Sequence, residues 1–288
     1  MYAADLNYYR AGSAAEASDL LKKHAGAKLL AGGHSLIPLM KLRLARPSAV
    51  IDIGRITELR GITLKDGVVR IGALTTHAAL ASSALLREQC PVLAEAAAQI
   101  GDPAVRNRGT IGGNVAHADP ASDLPTVLLA LGARLTATDP GGTRTIPAAE
   151  FFKGLMATAL GAHDVLTAIE VPVKGKGQGA AYLKFQHPAS RYAVIGAAAI
   201  VTVEGSACRS AAVAVGGLVP KAVRAVSVEK ALAGQALSPD AIKKAASLVS
   251  QDLGADILGD LFASADYRRA MAPVWVGRAV RLAAERAR

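Results

Sequence analysis

The segment Lys28-Leu-Leu-Ala-Gly-Gly-His-Ser-Leu-Ile-Pro-Leu-Met-Lys41 carries the first information about the fold. Its apolar start predicts a short strand over 27–30, and the residues after the two glycines predict a helix over 35–44 that Ser35 can cap. Pro38 falls in the first turn of that helix, where a missing N–H costs little. Paired glycines before a helix allow backbone N–H groups to converge on an anion such as a phosphate. This segment alone is explained equally well by a phosphate site and by an ordinary strand-to-helix turn.

The flanking sequence places this turn in a small parallel unit. Apolar periodicity predicts a helix over 14–24 and a strand over 49–53. Strands that alternate with helices are typical of parallel β–α–β arrangements. We therefore expect residues 1–55 to form a first subdomain.

The rest of the chain divides into two further blocks. In residues 56–176, strands are predicted over 67–72, 133–138 and 165–173, and helices over 91–100 and 125–131. Lys174-Gly-Lys-Gly-Gln-Gly179 marks a linker, because a strand-like segment follows it where a dinucleotide fingerprint would require a helix. In residues 177–288, two apolar strands (191–204 and 210–219) precede three helices (227–233, 239–253 and 267 onward). The pattern predicts an α+β fold.

A second glycine-rich stretch lies between Asp102 and Asp123, and we expect it to form a long loop. Gly109, Gly112 and Gly113 permit close approach of the backbone to a ligand. The short polar side chains there suit phosphate and ribose hydroxyls, and they are Thr110, Asn114, Ser122 and Asp123. Two such stretches in separate blocks predict a ligand whose diphosphate is held from both sides.

Composition and charge exclude several classes of protein. With 51% hydrophobic residues the 288-residue chain is not disordered, and Cys90 and Cys208 alone cannot hold an iron–sulfur cluster or a structural zinc ion. The N-terminus does not resemble a signal peptide, and the longest apolar stretch (192–203) is too short to cross a bilayer. We expect a cytoplasmic protein with no transmembrane segment.

The net charge of +10 is mostly dispersed, and aromatic residues are only 4% of the chain, which argues against a nucleic-acid partner. The exception is the C-terminal helix, which carries Arg268, Arg269, Arg278, Arg281, Arg286 and Arg288. This helix is interpreted either as having a solvated basic face or as a docking surface for an acidic partner. No histidine shows metal-ligand spacing, so neither a metal site nor a catalytic residue is assigned.

The stretches Ala31-Gly-Gly-His-Ser-Leu-Ile-Pro-Leu-Met-Lys-Leu-Arg-Leu44 and Gly109-Thr-Ile-Gly-Gly-Asn114 resemble the two FAD-binding motifs of the medium (flavoprotein) subunits of molybdenum hydroxylases. Carbon monoxide and xanthine dehydrogenases belong to this group, and the resemblance covers essentially the whole chain. It implies a vanillyl-alcohol-oxidase-like (PCMH-type) FAD-binding fold of two subdomains, 1–55 and 56–176. A C-terminal α+β domain over 177–288, a small antiparallel sheet with helices, would follow.

The resemblance also implies a set of non-covalent FAD contacts. The pyrophosphate would be wrapped by the first motif, that is by Lys28, Leu29, Leu30, Ala31, Gly32, Gly33, His34 and Ser35. The diphosphate, ribityl and adenosine portions would be lined by Ile100, Val105, Gly109, Thr110, Gly113, Asn114, Ser122 and Asp123. Leu166 would lie at the adenine, Lys184 beside the isoalloxazine as a stabilising cation, and Tyr192 against a flavin face. Without the resemblance, Lys184 is more simply a strand-edge charge and Tyr192 a core aromatic residue.

The activity implied is electron transfer within a larger oxidoreductase. A large subunit would carry the molybdenum cofactor and a small subunit two [2Fe–2S] clusters, in a dimer of heterotrimers. FAD would pass electrons to an external acceptor, which is a quinone, a cytochrome or NAD, and the complex could lie at the inner face of a membrane. The alternatives are a stand-alone FAD-dependent oxidoreductase and a basic nucleotide- or RNA-binding protein. The motifs do not distinguish CO, an aldehyde, a purine or another N-heterocycle as the substrate.

Overall fold

A computed structural model describes residues 2–287, and its N-terminal part is a three-stranded parallel sheet with two helices. The strand order is β1-β3-β2, and Leu29 lies opposite Ile51. The predicted parallel unit is thus confirmed, although the first strand was not predicted. That strand carries mostly exposed residues and shows no apolar pattern. The elements are β1 (Asn7–Arg10), α1 (Ala14–Lys23), β2 (Lys28–Leu30), α2 (Leu36–Lys41) and β3 (Ala49–Asp52).

The second block is built on a five-stranded antiparallel sheet of order β4-β5-β10-β6-β7. A layer of helices covers one face of it, and its apolar core lies between the two layers. The strands predicted over 67–72, 133–138 and 165–173 are β5, β6 and β10. The elements are β4 (Ile62–Lys65), β5 (Val68–Gly72), α3 (His77–Ser82), α4 (Ala84–Gln89), α5 (Pro91–Ala98), α6 (Pro103–Arg108), α7 (Ile111–His117), α8 (Asp123–Ala130), β6 (Arg134–Asp139), β7 (Gly142–Pro147), α9 (Ala148–Phe151), β8 (Phe152–Gly154), β9 (Ala157–Thr158) and β10 (Val165–Pro172).

The expectation of one long loop between Asp102 and Asp123 is wrong, because α6 and α7 occupy most of it. Asp102 caps α6, and its side chain accepts from Val105 N at 2.8 Å. Thr110 caps α7 in the same way, accepting from Gly113 N at 3.2 Å. Both caps supply acceptors for N–H groups that a helix start leaves unpaired. The glycines of this stretch therefore lie in and beside a helix rather than in a flexible loop.

The third block is a four-stranded antiparallel sheet of order β11-β12-β13-β14 with α12 along one face and α8 of the second block on the other. The helix and sheet approach very closely, because a Cβ at Gly179 would lie 1.9 Å from the carbonyl oxygen of Ala283. The elements are β11 (Gln178–Gln186), β12 (Ala193–Glu204), β13 (Ala207–Gly216), β14 (Val223–Arg224), α10 (Val226–Leu232), α11 (Pro239–Ser247) and α12 (Ala265–Arg286), and 3₁₀ turns lie at Thr57–Leu59 and Leu248–Gln251.

The interpretation of the C-terminal arginines as a uniformly solvated face is wrong for Arg268. This side chain is 5% exposed and donates to the carbonyl oxygens of Val194 and Gly217 at 3.2 and 2.7 Å, and to Asp260. Arg286 is also engaged, with Glu95 at 2.8 Å. These residues join α12 to the rest of the molecule, and Arg288 lies outside the described residues. Among residues 2–287, no helix is both long and apolar enough to pass through a bilayer.

Candidate functional site

A cavity of about 800 Å³ opens between the first two blocks and reaches the β11–β12 hairpin of the third. Its size is that of pockets which enclose a large organic ligand. All the residues that the resemblance assigns to the cofactor line it, with the exception of Lys184. They are Lys28, Leu29, Leu30, Ala31, Gly32, Gly33, His34, Ser35, Ile100, Val105, Gly109, Thr110, Gly113, Asn114, Ser122, Asp123, Leu166 and Tyr192.

The turn between β2 and α2 presents free backbone donors to the cavity. Its first hydrogen bond runs from Ile37 N to Gly33 O at 3.0 Å. The N–H groups of His34, Ser35 and Leu36 precede that bond and donate to no other group within residues 2–287. Gly33 adopts φ +76°, a conformation that favours glycine. The turn can therefore direct several N–H groups at an anion, as its paired glycines predict.

Ser35 does not cap α2 as expected. It occupies the N-cap position, but its backbone is already helical at φ −109° and ψ −51°, and its side chain makes no capping hydrogen bond. A capping residue normally has an extended backbone, which aims its hydroxyl back at the helix start. The Ser35 hydroxyl therefore leaves the N–H groups of the turn unpaired.

The turn at Gly109–Asn114 differs, because acceptors within residues 2–287 take up all of its N–H groups except that of Thr110. Ile111 N donates to Thr75 O at 2.9 Å and Gly112 N to Ala73 O at 2.8 Å. Gly113 N is held by the Thr110 hydroxyl. What this turn offers the cavity is side chains: Asn114 Nδ2 donates to Ser122 Oγ at 3.1 Å, while its buried Oδ1 has no partner within the described chain. That oxygen is positioned to accept a hydrogen bond from a ligand hydroxyl or N–H.

The two turns touch each other. A Cβ at Gly32 would lie 2.1 Å from the carbonyl oxygen of Arg108 and 2.9 Å from the Cα of Gly109. This contact requires glycine at position 32, because neither backbone has room to retreat. It brings the free donors of the first turn beside the polar side chains of the second.

Asp123 lines the cavity and belongs to a buried polar network. Its carboxylate accepts from Tyr182 Oη at 2.5 Å and from Lys184 Nζ at 3.0 Å. Burial raises the pKa of Asp123, and the ammonium and phenol donors oppose that rise. Burial and the adjacent carboxylate together raise the pKa of Tyr182 well above its ordinary value, so the phenol remains a donor.

Lys184, which the resemblance places beside the isoalloxazine, does not line the cavity, and its ammonium lies in the Asp123 network. It is 8% exposed, and its Nζ also donates to the carbonyl oxygens of Gln99 at 3.0 Å and Arg191 at 2.7 Å. These three acceptors match the three donors of an ammonium group. Lys184 thus stands behind Asp123 and fixes the backbone next to Ile100 and Tyr192, two of the lining residues.

The β11–β12 hairpin contributes Tyr192, which is 42% exposed at the cavity mouth. Burial, with the carboxylates of Asp119 and Asp123, raises the pKa of this phenol. Arg191, which precedes it, has φ +61°. The side chain of Tyr192 is therefore neither a core residue nor freely solvated.

Asp164 and Leu166 also line the cavity. Asp164 is buried, pairs with Arg144 (Nη1 to Oδ1, 2.7 Å) and accepts from Gly161 N at 2.5 Å. This arrangement holds the Gly161–Ala162 backbone at the rim. The sequence did not indicate a role for Asp164, because Arg144 reaches it only through strand pairing.

His77 is a lining residue that the sequence did not indicate. Its backbone N–H donates to Gly109 O at 3.0 Å, and the buried Nδ1 of its ring has no partner within the described chain. Burial lowers its pKa to about 4, with His34 and Arg106 contributing. His77 is therefore neutral at pH 7, and only the tertiary bridge between Thr76 and Thr110 brings it here. Other lining residues that were missed include Gly101, Met156, Ser190 and Arg191.

Within residues 2–287, no three His, Cys, Asp or Glu side chains cluster closely enough to hold a metal ion. Cys90 and Cys208 are buried and separate, and burial raises the pKa of the Cys90 thiol to about 12. The chemical resources of the site are thus backbone donors, short polar side chains and two buried carboxylates, Asp123 and Asp164, each held by its own donors. These features serve to hold a ligand with an anionic centre.

Comparison with known proteins agrees with this geometry. Residues 4–174 match the family model of the FAD binding domain in molybdopterin dehydrogenase, and residues 180–283 match that of the CO dehydrogenase flavoprotein C-terminal domain. The chain is 40% identical to the carbon monoxide dehydrogenase medium chain of Hydrogenophaga pseudoflava over 96% of both chains. It is also 40% identical to subunit alpha of the 6-hydroxypseudooxynicotine dehydrogenase complex of Paenarthrobacter nicotinovorans, over 91% of this chain and 88% of that one.

A solved structure is similar over nearly the full length. It is carbon monoxide dehydrogenase from Hydrogenophaga pseudoflava lacking the Mo-pyranopterin moiety of the molybdenum cofactor, with a TM-score of 0.96 and 41% identity over 99% of each chain. The similarity spans all three blocks described above. It therefore includes every element that lines the cavity.

Proposed function

We infer the function of this chain from the premise that it belongs to the family of FAD-binding flavoprotein subunits of molybdopterin dehydrogenases. It is the FAD-carrying electron-transfer subunit of a multi-subunit oxidoreductase. The stand-alone oxidoreductase and the nucleotide- or RNA-binding protein, which the sequence alone left open, are not supported by these relatives. FAD is its cofactor, and the molybdenum cofactor and iron–sulfur clusters reside on partner subunits.

The observation that carries this proposal is the cavity between the two glycine-rich turns. Free N–H groups at His34, Ser35 and Leu36 suit a diphosphate, and the unpartnered Oδ1 of Asn114 suits a hydroxyl or ring N–H. A volume of about 800 Å³ accommodates a dinucleotide-sized molecule. The residues present therefore fit FAD.

When bound, FAD supplies a ring that accepts and releases electrons singly or in pairs, chemistry that no side chain of this protein has. The chain's own residues bind and orient it. The first turn holds the anionic centre, Asn114 and Ser122 orient the polar groups beyond it, and the apolar side chains of Leu30, Ile100 and Leu166 exclude water. We place Tyr192 beside the ring and assign Lys184 to fixing Asp123 and the hairpin rather than to touching the ring.

The finer features of the assembly are part of the proposal. We expect a dimer of heterotrimers with one large molybdenum subunit and one small [2Fe–2S] subunit per flavoprotein. The acceptor is outside the complex and is a quinone, a cytochrome or NAD. Relatives of equal identity act in carbon monoxide and 6-hydroxypseudooxynicotine dehydrogenases, so the substrate is selected by the large subunit.

The test is purification of the native complex from its host, with an absorption spectrum and identification of every co-purifying chain. We expect flavin and iron–sulfur bands together, with two partner polypeptides. Bleaching of both bands by CO, an aldehyde or an N-heterocycle then names the substrate, and reoxidation by added quinone, cytochrome or NAD names the acceptor. A chain that neither contains nor takes up FAD would refute the proposal.

A further inference from the structure

A surface of mixed apolar and basic character lies directly outside the cavity, on residues 37–46. We call it the outer face of 37–46, and its members are Ile37, Lys41, Leu42, Arg43, Leu44 and Arg46. Leu44 is 73% exposed, Leu42 54% and Ile37 44%. Three large aliphatic side chains are thus exposed within eight residues of the chain, and exposed apolar side chains grouped in this way mark interaction sites.

The exposed leucines are held by an ordered backbone. Leu44 N donates to Leu39 O at 2.9 Å and Arg43 N to Met40 O at 3.0 Å. Arg43 closes this turn with φ +60°, which is unusual for a residue other than glycine. The exposure of Leu42 and Leu44 is therefore built into the turn that ends α2.

The charge around this patch has one sign. No aspartate or glutamate occurs between positions 20 and 51 of the sequence. Lys41, Arg43 and Arg46 flank the leucines, and within the described residues none of the three forms an ion pair. An apolar centre with a cationic rim fits a protein surface with an apolar centre and a carboxylate rim.

The inner side of the same segment is part of the cofactor cavity. Leu36, Leu39 and Ala45 line the cavity, while their neighbours Ile37, Leu42 and Leu44 face outward. One layer of chain thus separates the outer face of 37–46 from the cavity. A protein docked on the outer face of 37–46 would therefore be separated from the bound cofactor by that one layer of chain.

We propose that the outer face of 37–46 is the docking surface for the iron–sulfur subunit, through a complementary face with carboxylates around an apolar centre. This inference rests on the proposed function, which requires an electron donor close to the cofactor. An anionic membrane is the less suitable occupant. Interfacial binding uses an amphipathic helix with a broad apolar face, whereas α2 is six residues long and the exposed leucines follow it in a turn.

The first experiment identifies the neighbour directly. A photoreactive benzophenone amino acid replaces Leu44 in the complex produced in its native host, and replaces Leu64, an exposed residue of β4, as the control. We expect a covalent adduct with the iron–sulfur subunit from position 44 and none from position 64. An adduct with the large subunit, an adduct with lipid or no adduct from position 44 would each overturn the proposal.

The second experiment tests the charge. The double variant Lys41→Glu/Arg46→Glu is compared with Lys243→Glu/Lys244→Glu, which makes the same charge change on the exposed side of α11. We expect about a tenfold loss of co-purifying iron–sulfur subunit for the first pair only, because like charges would now face each other. Wild-type association should also weaken with added salt more steeply than that of the variant. Equal retention by both pairs would contradict the assigned surface.

FAD content and co-purification together distinguish failure of the proposed function from failure of the docking surface. None of the substituted residues lines the cavity, so each variant should keep the flavin content of the wild-type chain. If the wild-type complex contains no iron–sulfur subunit, the proposed function fails. If the wild-type complex contains it and the variants at 41 and 46 retain it unchanged, only the docking surface is wrong.

Discussion

The two glycine-rich turns are similar in sequence but do different physical work. Within residues 2–287, the N–H groups of His34, Ser35 and Leu36 at the first turn have no acceptor, and these residues line the cavity. The turn at Gly109–Asn114 uses its N–H groups on Thr75, Ala73 and Thr110, and so secures α7 against the second block. One turn is therefore a binding device, and the other is a support that presents side chains.

The glycines differ in the same way. At Gly32 and Gly112 a Cβ would meet neighbouring backbone, at 2.1 Å from Arg108 O and 2.7 Å from Ala73 O respectively. At Gly113 a Cβ would meet only the Thr110 hydroxyl at 2.9 Å, and would otherwise extend toward Ala31. A glycine in a binding motif is therefore not by itself evidence of ligand contact, because two of these three serve packing.

The largest effect on stability and FAD binding should come from Gly32→Val, which disrupts the contact between the two turns. Its Cβ would overlap the carbonyl of Arg108, and neither backbone can move without breaking the cavity wall. Overpacking of this kind costs about 3 kcal/mol. We expect a clearly lower midpoint of thermal unfolding and loss of FAD. Gly154→Val, at a position with open space around it, is the control, and equal melting of the two variants would show that the turns are not interlocked.

A second effect, confined to acid pH, should come from His77, which packs under the second turn. The folded protein binds a proton at this histidine only near pH 4, whereas the ordinary value is 6.5. As the pH falls between these values, the unfolded chain takes up a proton that the folded chain does not, so the free energy of unfolding decreases. The full difference corresponds to roughly 3 kcal/mol.

Urea unfolding of the wild type and of His77→Gln across this pH range measures the loss of stability on acidification. The variant should lose less stability on acidification, and the exposed His163→Gln should behave as the wild type. Parallel curves for the wild type and His77→Gln would mean that His77 is protonated as readily in the folded protein as in the unfolded chain.

The sequence predicted the parts of this site that depend on local pattern. The strand before Gly32 and the paired glycines follow from residue order, and the parallel unit follows from alternating periodicity. The helices α6 and α7 were missed although Asp102-Pro103 and Thr110 are recognisable N-terminal signals. The glycine and asparagine residues of this stretch led to its interpretation as a loop, despite the two capping signals.

What could not be predicted depends on tertiary packing. Lys184 lies on β11, and nothing local indicates that its ammonium meets Asp123, Gln99 and Arg191 from three other segments. Arg268 likewise has the sequence context of a surface charge, and its contacts with the carbonyls of Val194 and Gly217 form only when α12 packs against the sheet. Both residues compensate burial with several acceptors, an arrangement that exists only after the domains pack.

The smallest effect on stability, and the sharpest test of the difference between the two turns, should come from Gly113→Ala. The new methyl group displaces the Thr110 hydroxyl, at a cost of about 1 kcal/mol for the cap. Alanine is a better helix former than glycine, and this stabilises the folded chain by a similar amount, about 1 kcal/mol. The stability of the FAD-free chain should therefore change little. The affinity for FAD should fall about tenfold, equivalent to about 1.4 kcal/mol, because the methyl narrows the space between the two turns.

Titration of the FAD-free chain with FAD, followed by flavin fluorescence, measures this affinity. Gly154→Ala serves as the matched control, since a Cβ there meets nothing within 4 Å. His34→Ala removes a side chain whose one hydrogen bond within residues 2–287 joins Nδ1 to Gly32 O at 3.1 Å. The variant keeps the backbone donors, so it should bind FAD nearly as the wild type does. If Gly113→Ala binds FAD normally while His34→Ala does not, the first turn acts through its histidine rather than its backbone. In that case side chains, rather than backbone N–H groups, would bind FAD at both turns, and the contrast between the turns would be wrong.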